Sequence, residues 1–418
     1  MNTILIIALR NVTRQKRRVF ITALTIAIGI AGFVVIDGMF AGWDGDSLRN
    51  TVTLTDGALS IATKAYDDER DSSPLSLGMP ADTIRAYLAK DSRVAGATPR
   101  TVFRAEATDG ERSIPIRGIV IDPERDPTVF ALTNFIRGAY LTGSNRSSVL
   151  VGAKLARDLA LSVGGTITVS ARTRYESHNA DDFPIAGIFE TTNPALNEAV
   201  VMSYTLADDF LDLEGSVTEL FVSLKHPPDK PFTELYPAVR ALKIDLTNRY
   251  PSLTAATVEE RNAAFVGLMA QKKKFSGIVI LVVMLIAAVG IVNTVLMSVY
   301  ERVREVGVLR ALGFTPKEVV RMFVIEGFIV GTLGSIGGVI LGILINLYLV
   351  NVGMDVTAMP GADKMASSLP VWGTMKSVWN AKAFVQSALF GMIIALIASI
   401  IPARRAGKIT VTSALRFQ

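Results

Sequence analysis

Residues able to do nucleophilic, acid–base or metal chemistry are scarce in this sequence. The 418 residues include no cysteine and only two histidines, His178 and His226. The lack of cysteine excludes disulfides, thiolate metal sites and a cysteine nucleophile. His178 lies near Asp181 and Asp182, a spacing that could serve a metal or a catalytic group. The stretch is polar and reads as a loop, so we predict a solvated surface there and no metal site.

Sequence motifs for catalysis are missing as well. Ser147 and Ser148 have no nucleophile-elbow pattern around them. The phosphate-binding pattern G-x-x-x-x-G-K-[ST] does not occur, because Gly407-Lys408 lacks the upstream glycine. We therefore predict no catalytic residue and no cofactor bound by this chain. ATP hydrolysis, if it takes part, must come from a partner.

Two carboxylates stand within apolar stretches, where charge is costly. Glu326 is predicted to be a polar anchor or an interhelical hydrogen-bond partner, and a proton relay is the less favoured alternative. Asp37, near the outer end of a membrane span, is predicted to lie at an interfacial helix end, although contact with a substrate would explain it equally well. Both roles depend on the elements that carry these residues.

Four apolar stretches are long enough to cross a membrane. The chain is 50% hydrophobic and has a mean hydropathy of +0.39, and about 30 Å of hydrocarbon needs roughly 20 apolar residues in a helix. The apolar stretches are Val19–Phe40, Gly277–Val299, Met322–Val350 and Phe384–Ile401. The chain then divides into an N-terminal segment (1–18), span one (19–40), an outer domain (41–274), span two (275–300), a cytoplasmic segment (301–321), span three (322–350), a short outer loop (351–383), span four (384–402) and a tail (403–418).

Basic residues determine the predicted orientation. They cluster before span one, between spans two and three, and after span four, which places both termini in the cytoplasm by the positive-inside rule. Lys272, Lys273 and Lys274 are an exception, but they follow a long translocated domain, where the rule is weak. The net charge of +5 comes from these flanks and does not indicate nucleic-acid binding. Residues 1–15 fit either an amphipathic helix on the inner leaflet or a frayed start of span one.

The outer domain has the composition of a globular α+β fold. Strands are predicted from alternating or β-branched patches at Thr101–Ala107, Ser113–Val120, Thr166–Ser170, Phe183–Ile188 and Glu219–Leu224. Helices are predicted at Ala81–Lys90, Ala153–Leu161 and Phe232–Asn248. Asp109-Gly110, between the first two strands, predicts a type I′ hairpin turn. Strands and helices without strict alternation favour α+β.

The cytoplasmic segment predicts a helix, a turn and a new helix. Glu301–Leu312 has helical character, and Gly313 suits the position just past a helix end. Its apolar positions near one face are Val303, Val306, Leu309 and Leu312. Thr315, Pro316 and Glu318 predict a capping box with proline at the first helical position. A charged, solvated loop with a satisfied turn is the alternative that the residues alone leave open.

Span three carries a stripe of glycines. Most of them are four residues apart, which lets a neighbouring helix approach closely. The predicted helix-packing glycines are Gly327, Gly331, Gly334, Gly338 and Gly342. A dinucleotide-binding role for this stripe is not supported, because no strand precedes it.

The sequence resembles FtsX/MacB-type (type VII) ABC transporter permeases over nearly its whole length. The resemblance to the family signature lies in ERVREVGVLRALGFTPKEVVRMFVIEGFIVGTLGSIGG, and the start of span one is similar in RNVTRQKRRVFITALTIAIGIAG. Resemblance to the MacB-like periplasmic core lies in RGAYLTGSNRSSVLVGAKLARDLALSVGGTITVS and DFPIAGIFETT. Resemblance to the family's C-terminus lies in IPARRAGKITVTSALR. The lipoprotein-releasing (Lol-type) permeases are the most similar in overall length and in IRGIVIDPERDPTVFALTNFIRGAYL.

This resemblance implies an α-helical membrane protein with four transmembrane helices and a large α+β periplasmic domain, in the bacterial inner membrane. It implies a coupling segment that docks on a separate ABC ATPase dimer, which would hold ATP and Mg²⁺, and a second permease copy or a paralogue as partner. The coupling residues that it implies are Glu301, Arg302, Arg304, Glu305, Gly307, Leu309, Arg310, Leu312 and Gly313. Movement of the periplasmic domains by ATP hydrolysis is called mechanotransmission.

Several functions remain open from the sequence. Extraction or export of a lipoprotein-type or amphiphilic substrate is favoured, and a small molecule or peptide is the next substrate class. A regulator of a periplasmic partner enzyme is less favoured, because such proteins have a much smaller outer domain. A membrane-anchored enzyme is not favoured, because the sequence contains no cysteine and no assembled nucleophile–base motif. In a four-span dimer, we expect spans one and two to form the central substrate cavity, with Phe33, Ile36 and Ile280 in its apolar wall.

Overall fold

The computed structural model describes residues 2–14, 16–110, 112–143, 145–191, 193–227, 232–355 and 374–409. The chain divides into two compact units. The helical unit comprises Met1–Trp43, Gly267–Met354 and Met375–Gln418, and the sheet unit comprises Asp44–Val266 and Asp355–Thr374. Much of the predicted outer loop, including Trp372, lies outside the described residues.

Helices account for most of the helical unit and for part of the sheet unit. The α-helices are α1 Asn2–Arg14, α2 Lys16–Asn50, α3 Lys64–Asp68, α4 Asp82–Leu88, α5 Ala153–Asp158, α6 Tyr204–Leu211, α7 Tyr236–Arg249, α8 Val258–Arg261, α9 Ala263–Glu301, α10 Val303–Ala311, α11 Pro316–Asn351 and α12 Ala381–Gly407. A π-helix, Thr51–Asp56, follows α2 directly. The 3-10 turns are Arg70–Ser72, Leu75–Leu77, Asp126–Thr128, Leu132–Phe135, Leu196–Glu198 and Phe232–Leu235.

Three helices within the described residues are long and apolar enough to cross a membrane. They are α2 with its π-helical continuation (Lys16–Asp56), α11 and α12. The predicted second span, Gly277–Val299, lies within the 39-residue helix α9. The count of four spans therefore stays a prediction.

The first helix of this set is longer than the predicted span. It continues past Phe40 to Asn50, so Asp37 lies inside a continuous helix and the prediction that it marks a helix end is wrong. The apolar run stops at Asp37, but no proline follows that would end the helix itself. Upstream, residues 2–14 form a helix of their own, α1, with Ala8 and Val12 buried and Leu5, Ile6 and Leu9 exposed. This pattern favours the amphipathic helix over a frayed span.

A single ten-stranded sheet organises the sheet unit. Its strands are β1 Leu59–Thr63, β2 Val94–Thr108, β3 Ser113–Ile121, β4 Ile136–Gly138, β5 Val149–Gly152, β6 Thr166–Arg172, β7 His178–Phe189, β8 Ala199–Ser203, β9 Glu219–Leu224 and β10 Leu253–Thr257. Two short strands, β11 Met354–Asp355 and β12 Thr374–Met375, lie outside it. The order is β10-β1-β9-β2-β3-β8-β5-β7-β4, and β6 pairs with β2 and β7. The predicted α+β class is confirmed.

Apolar side chains from the sheet and its helices form the core of the sheet unit. One cluster gathers Phe103, Val120, Phe183 and Phe210, with α5 and α6 packed on it. Arg100 and Asp126 form an ion pair inside the unit, with an Nε–Oδ1 distance of 2.7 Å and only 5% and 1% of their side chains exposed. The Arg100 guanidinium also lies over the ring of Phe130, so the buried charge has both an ionic and an aromatic partner.

Two local predictions in the sheet unit are wrong. The predicted hairpin between β2 and β3 is present, but Asp109-Gly110 does not form a type I′ turn, because four residues lie between the last pair, Thr108 and Ser113, and only Gly110 of the predicted pair has positive φ (+96°). His178 does not lie in a loop. It begins β7, where it pairs with Arg172 of β6, because the polar residues 178–182 form one exposed end of a hairpin.

Candidate coupling site

Helix α10 is a short helix with a defined structure at both ends. It starts after a single non-helical residue, Arg302 (φ −118°, ψ 17°), that separates it from α9. It ends at Ala311, and Gly313, two residues later, has a φ of +98°. The Phe314 N–H donates to the Leu309 carbonyl (3.1 Å) and the Gly313 N–H donates to the Arg310 carbonyl (3.2 Å). This pair of bonds is a Schellman motif, which satisfies carbonyls left open at a helix end.

The next helix, α11, starts with the predicted capping box. The Glu318 N–H donates to Thr315 Oγ1 (3.3 Å), and the Thr315 N–H donates to Glu318 Oε2 (2.7 Å). Pro316 occupies the first helical position. The predicted order of helix, turn and helix is confirmed, and the solvated-loop alternative is wrong.

The two sides of α10 differ in burial. Val303 and Val306 are 6% and 0% exposed and pack into the helical unit. Val308 and Leu312 are 49% and 74% exposed. Leu312 was predicted near the same face as Val303 and Val306, but it is the C-cap residue (φ −81°, ψ 6°) and no longer follows the helical repeat. Apolar surface is therefore exposed at the turn between α10 and α11.

The residues assigned to coupling separate into an exposed and an internal group. Glu301, Arg304, Glu305, Leu312 and Gly313 are exposed, Leu309 and Arg310 are half-buried, and Arg302 and Gly307 are buried. A partner can reach only the exposed and half-buried members in this conformation. Their role in coupling stays a prediction.

Charged side chains converge where α9, α10 and α11 meet. Arg302 Nη1 donates to Glu326 Oε2 (3.2 Å), and Arg302 Nε donates to Glu305 Oε2 (2.6 Å). Ser298 Oγ donates to the other oxygen of Glu326 (3.1 Å). Arg18, at the start of α2, pairs with Glu301 at 3.2 Å. Glu326 thus has interhelical hydrogen-bond partners, as predicted.

Sequence reasoning named Arg302 and Glu326 but missed that they pair. They are 24 residues apart, and the turn between them determines whether they meet. The available signal was the carboxylate itself, because a buried charge in an apolar helix needs a counter-charge. Arginines precede this span in several places, so the sequence did not identify which one pairs with Glu326.

The glycine stripe of α11 packs against two other helices. A Cβ at Gly331 would lie 2.1 Å from Ala395 Cβ on α12, and one at Gly327 would lie 2.5 Å from Ser399 Cβ. Gly334, Gly338 and Gly342 face α2 instead, near Ile26, Ile30 and Val34 respectively. All five glycines are buried. Close helix contact at this stripe is observed as expected.

The predicted substrate-cavity residues differ in their surroundings. Phe33 is half-buried against the core of the helical unit, whereas Ile36 is 42% exposed. The side chain of Ile280 lies outside the described part of the chain. Large apolar side chains are also exposed along α9, among them Ile286 (65%) and Val289 (69%). Asp37 has a structural partner, because Asn380 Nδ2 at the start of α12 donates to its Oδ2 (2.8 Å).

The chain matches two protein families that together cover most of it. Residues 19–231 match the MacB-like periplasmic core domain, and residues 277–411 match the FtsX-like permease C-terminal domain. The chain belongs to the MacB/LolC type of ABC transporter permeases. The permease therefore has a periplasmic domain, which the sheet unit forms, and membrane helices, which the helical unit contains.

Relatives of the permease include proteins named LolC and proteins named MacB. The lipoprotein-releasing system transmembrane protein LolC of Xylella fastidiosa (strain Temecula1) is 23% identical, across 99% of the permease and 98% of LolC. LolC of strain 9a5c is 26% identical across 78% and 79%. The macrolide export ATP-binding/permease protein MacB of Campylobacter jejuni is 24% identical across 98% of the permease but 60% of MacB.

Proposed function

We propose that the permease couples ATP hydrolysis by a separate ABC ATPase dimer to movements of its periplasmic domain, and thereby extracts or exports an amphiphilic substrate of lipoprotein type from the inner membrane. Both termini and α10 then lie in the cytoplasm, as the basic clusters indicate. A second permease copy or a paralogue completes the complex.

The exposed apolar surface of α10 carries this proposal. Val308 and Leu312 lie among the exposed charges Arg304 and Glu305, on a helix that ends in a Schellman motif and is followed by the capping box of α11. Exposed apolar side chains within a polar rim are typical of protein interfaces. A short helix can also transmit a displacement without bending, which a solvated loop cannot do.

The assignment of ATP to a partner rests on the sequence and on the relatives. These 418 residues contain no G-x-x-x-x-G-K-[ST] motif. The permease aligns with 98% of LolC, whose name describes a transmembrane protein of a lipoprotein-releasing system. This alignment favours a LolC-like arrangement, with ATP and Mg²⁺ bound by a separate subunit.

The substrate class follows from the exposed faces of the spans. Ile36 on α2 and Ile286 on α9 present apolar surface with little fixed charge, which suits acyl chains better than a polar solute. Alignment with LolC over the full chain favours a lipoprotein-type substrate. Export of a smaller amphiphile is the second candidate, because MacB relatives are named for macrolide export.

Substitution of Leu312 tests the coupling. Leu312→Asp should change the free energy of unfolding by less than about 0.5 kcal/mol, since Leu312 is 74% exposed. It should weaken binding of the ATPase subunit by at least about tenfold, because a carboxylate would then be buried in the interface. The measurement is co-purification of the tagged permease with the ATPase subunit, followed by the ATPase rate.

A matched control introduces the same negative charge in the sheet unit. Val163 is 45% exposed in the sheet unit, so Val163→Asp should leave subunit binding unchanged. Equal binding by the wild type and Leu312→Asp, with equal ATPase rates, would contradict docking through α10.

Photo-crosslinkers test the substrate. Placed at Phe33, Ile36 or Ile280, they should capture a lipidated or amphiphilic ligand. Placed at Ile340 or Leu344 on α11, which are 54% and 60% exposed, they should capture it less, because we expect the cavity between α2 and α9. Efficient capture from α11 alone, or capture of hydrophilic ligands only, would contradict the lipoprotein-type substrate while leaving the coupling result intact.

A further inference from the structure

Arg302 and Glu326 form an ion pair inside the helical unit. Only 8% of Arg302 and 6% of Glu326 is exposed. Their neighbours include the ring of Phe323, whose centroid lies 5.6 Å from the Arg302 guanidinium carbon. Glu326 is the eleventh residue of α11, so it lies about 15 Å along that helix, at a rise of 1.5 Å per residue. Both charges are thus held away from water.

Arg302 occupies the joint between two helices. It is the one residue between the 39-residue α9 and the coupling helix α10, and its backbone leaves the helical conformation. Its guanidinium uses two different nitrogens. Nε donates to Glu305, one turn into α10, and Nη1 donates to Glu326 on α11. One planar group therefore connects the joint, the start of α10 and the side of α11.

We propose that Arg302 is a positioning residue that fixes the direction of α10 relative to α11, so that the coupling helix and span three move as one body. This inference rests on the proposed function for its consequence, because an α10 held in a fixed direction would transmit a displacement of the ATPase directly to α11. Without the hydrogen bonds of Arg302, α10 would rotate about the joint, and the displacement would not reach α11.

The chemistry of the pair favours positioning over simple stabilisation. A buried ion pair adds little net stability, because the desolvation of both charges offsets their attraction. Two apolar side chains of similar size would fill the same space at equal or lower cost. They would not fix a direction, whereas the planar guanidinium donates to carboxylates only in certain orientations. Lysine has a single charged nitrogen and cannot reproduce this two-way geometry.

A distance measurement on the permease alone tests the pinning. The chain has no cysteine, so Val308→Cys on α10 and Leu344→Cys on α11 give one defined pair of spin labels; both sites are exposed. In lipid nanodiscs the wild-type background should give a single narrow distance distribution. Arg302→Lys and the double variant Arg302→Met with Glu326→Met should each broaden it.

The double variant keeps the test decisive if single variants fail to insert. It removes both charges and leaves no unpaired charge in the interior, so it should insert and resist proteolysis like the wild type. Arg321→Met, an exposed arginine of α11, is the matched control and should leave the distribution narrow. If the double variant gives the wild-type distance distribution, the proposal is overturned, and the two charges of the pair serve only to neutralise each other.

A second arm separates this inference from the proposed function. With the ATPase subunit bound, the double variant should still hydrolyse ATP, but hydrolysis should no longer shift the distance between spin labels in the periplasmic domain and on α11. No shift in the wild type would contradict the proposed function, and the result on the permease alone would still decide the pinning. A shift of wild-type size in the double variant would overturn the role of Arg302.

Discussion

Gly313 has a backbone conformation that side chains adopt only with strain. Its φ is +98°, and no heavy atom lies within 4 Å of the position that a Cβ would take. Crowding therefore plays no part, and backbone strain alone sets the cost of a substitution. The residue matters because it closes the Schellman motif that ends α10.

The destabilisation caused by a substitution at Gly313 should depend on how readily the new residue adopts a positive φ. Gly313→Val should destabilise the α10–α11 turn by about 1–3 kcal/mol, whereas Gly313→Asn should cost less, since asparagine tolerates positive φ better than β-branched residues. Hydrogen exchange of residues 303–314 measures this local stability. Equal protection in the two variants would show that the turn does not depend on this conformation.

At the residue scale, the sequence predicted what is local and missed what is distant. The capping box of Thr315 and Glu318 and the positive φ of Gly313 follow from residues within one turn of each other. The pairs Arg100–Asp126 and Arg302–Glu326 join residues 26 and 24 positions apart. Their pairing depends on how the chain folds between them, which residue type alone does not reveal.

Helix α11 shows how one element contacts two neighbours. A Cβ added at Gly331 would lie 2.1 Å from Ala395 Cβ on α12, far inside van der Waals contact. Gly337, on the same helix, would place its Cβ 3.8 Å from Ala27 on α2, an ordinary contact. Two chemically identical substitutions in one helix should therefore have opposite effects.

The comparison of Gly331→Ala with Gly337→Ala tests this packing. Gly331→Ala should lower the free energy of unfolding by about 1–3 kcal/mol, because α11 and α12 must separate. Gly337→Ala should be neutral or stabilise by up to about 1 kcal/mol through helix propensity. Thermal unfolding in detergent measures both. Similar midpoints for the two variants would contradict the observed helix contact.

At the element scale, the length and pattern of a segment determined what could be predicted. Five strands with alternating or β-branched patterns were predicted, whereas the other five strands of the sheet were missed, among them β5 and β8. These two are short and buried at every position (Val149–Gly152 and Ala199–Ser203), so they lack the alternation that identifies a strand. Long apolar helices were predicted, but the end of α2 was not, because loss of apolar character does not end a helix.

Orientation is a property of the whole molecule that reporter fusions can test. Alkaline phosphatase fused after Ser170, in β6, should be active because we place the sheet unit outside the cytoplasm. Green fluorescent protein fused after Gly313 should fluoresce, because we place α10 inside. Two reporters on the same side of the membrane would contradict the four-span topology and the docking of an ATPase on α10.

The central claim is that ATP hydrolysis in a partner moves the periplasmic domain of the permease. Because the chain has no cysteine, Tyr175→Cys in the sheet unit and Tyr348→Cys on α11, both 60% exposed in the wild type, give one intramolecular label pair. Diluting labelled permease among unlabelled copies in nanodiscs with the ATPase subunit isolates this pair. Double electron–electron resonance should show one distance distribution without nucleotide and a shifted one with ATP and vanadate. Identical distributions in a complex that hydrolyses ATP would contradict the account.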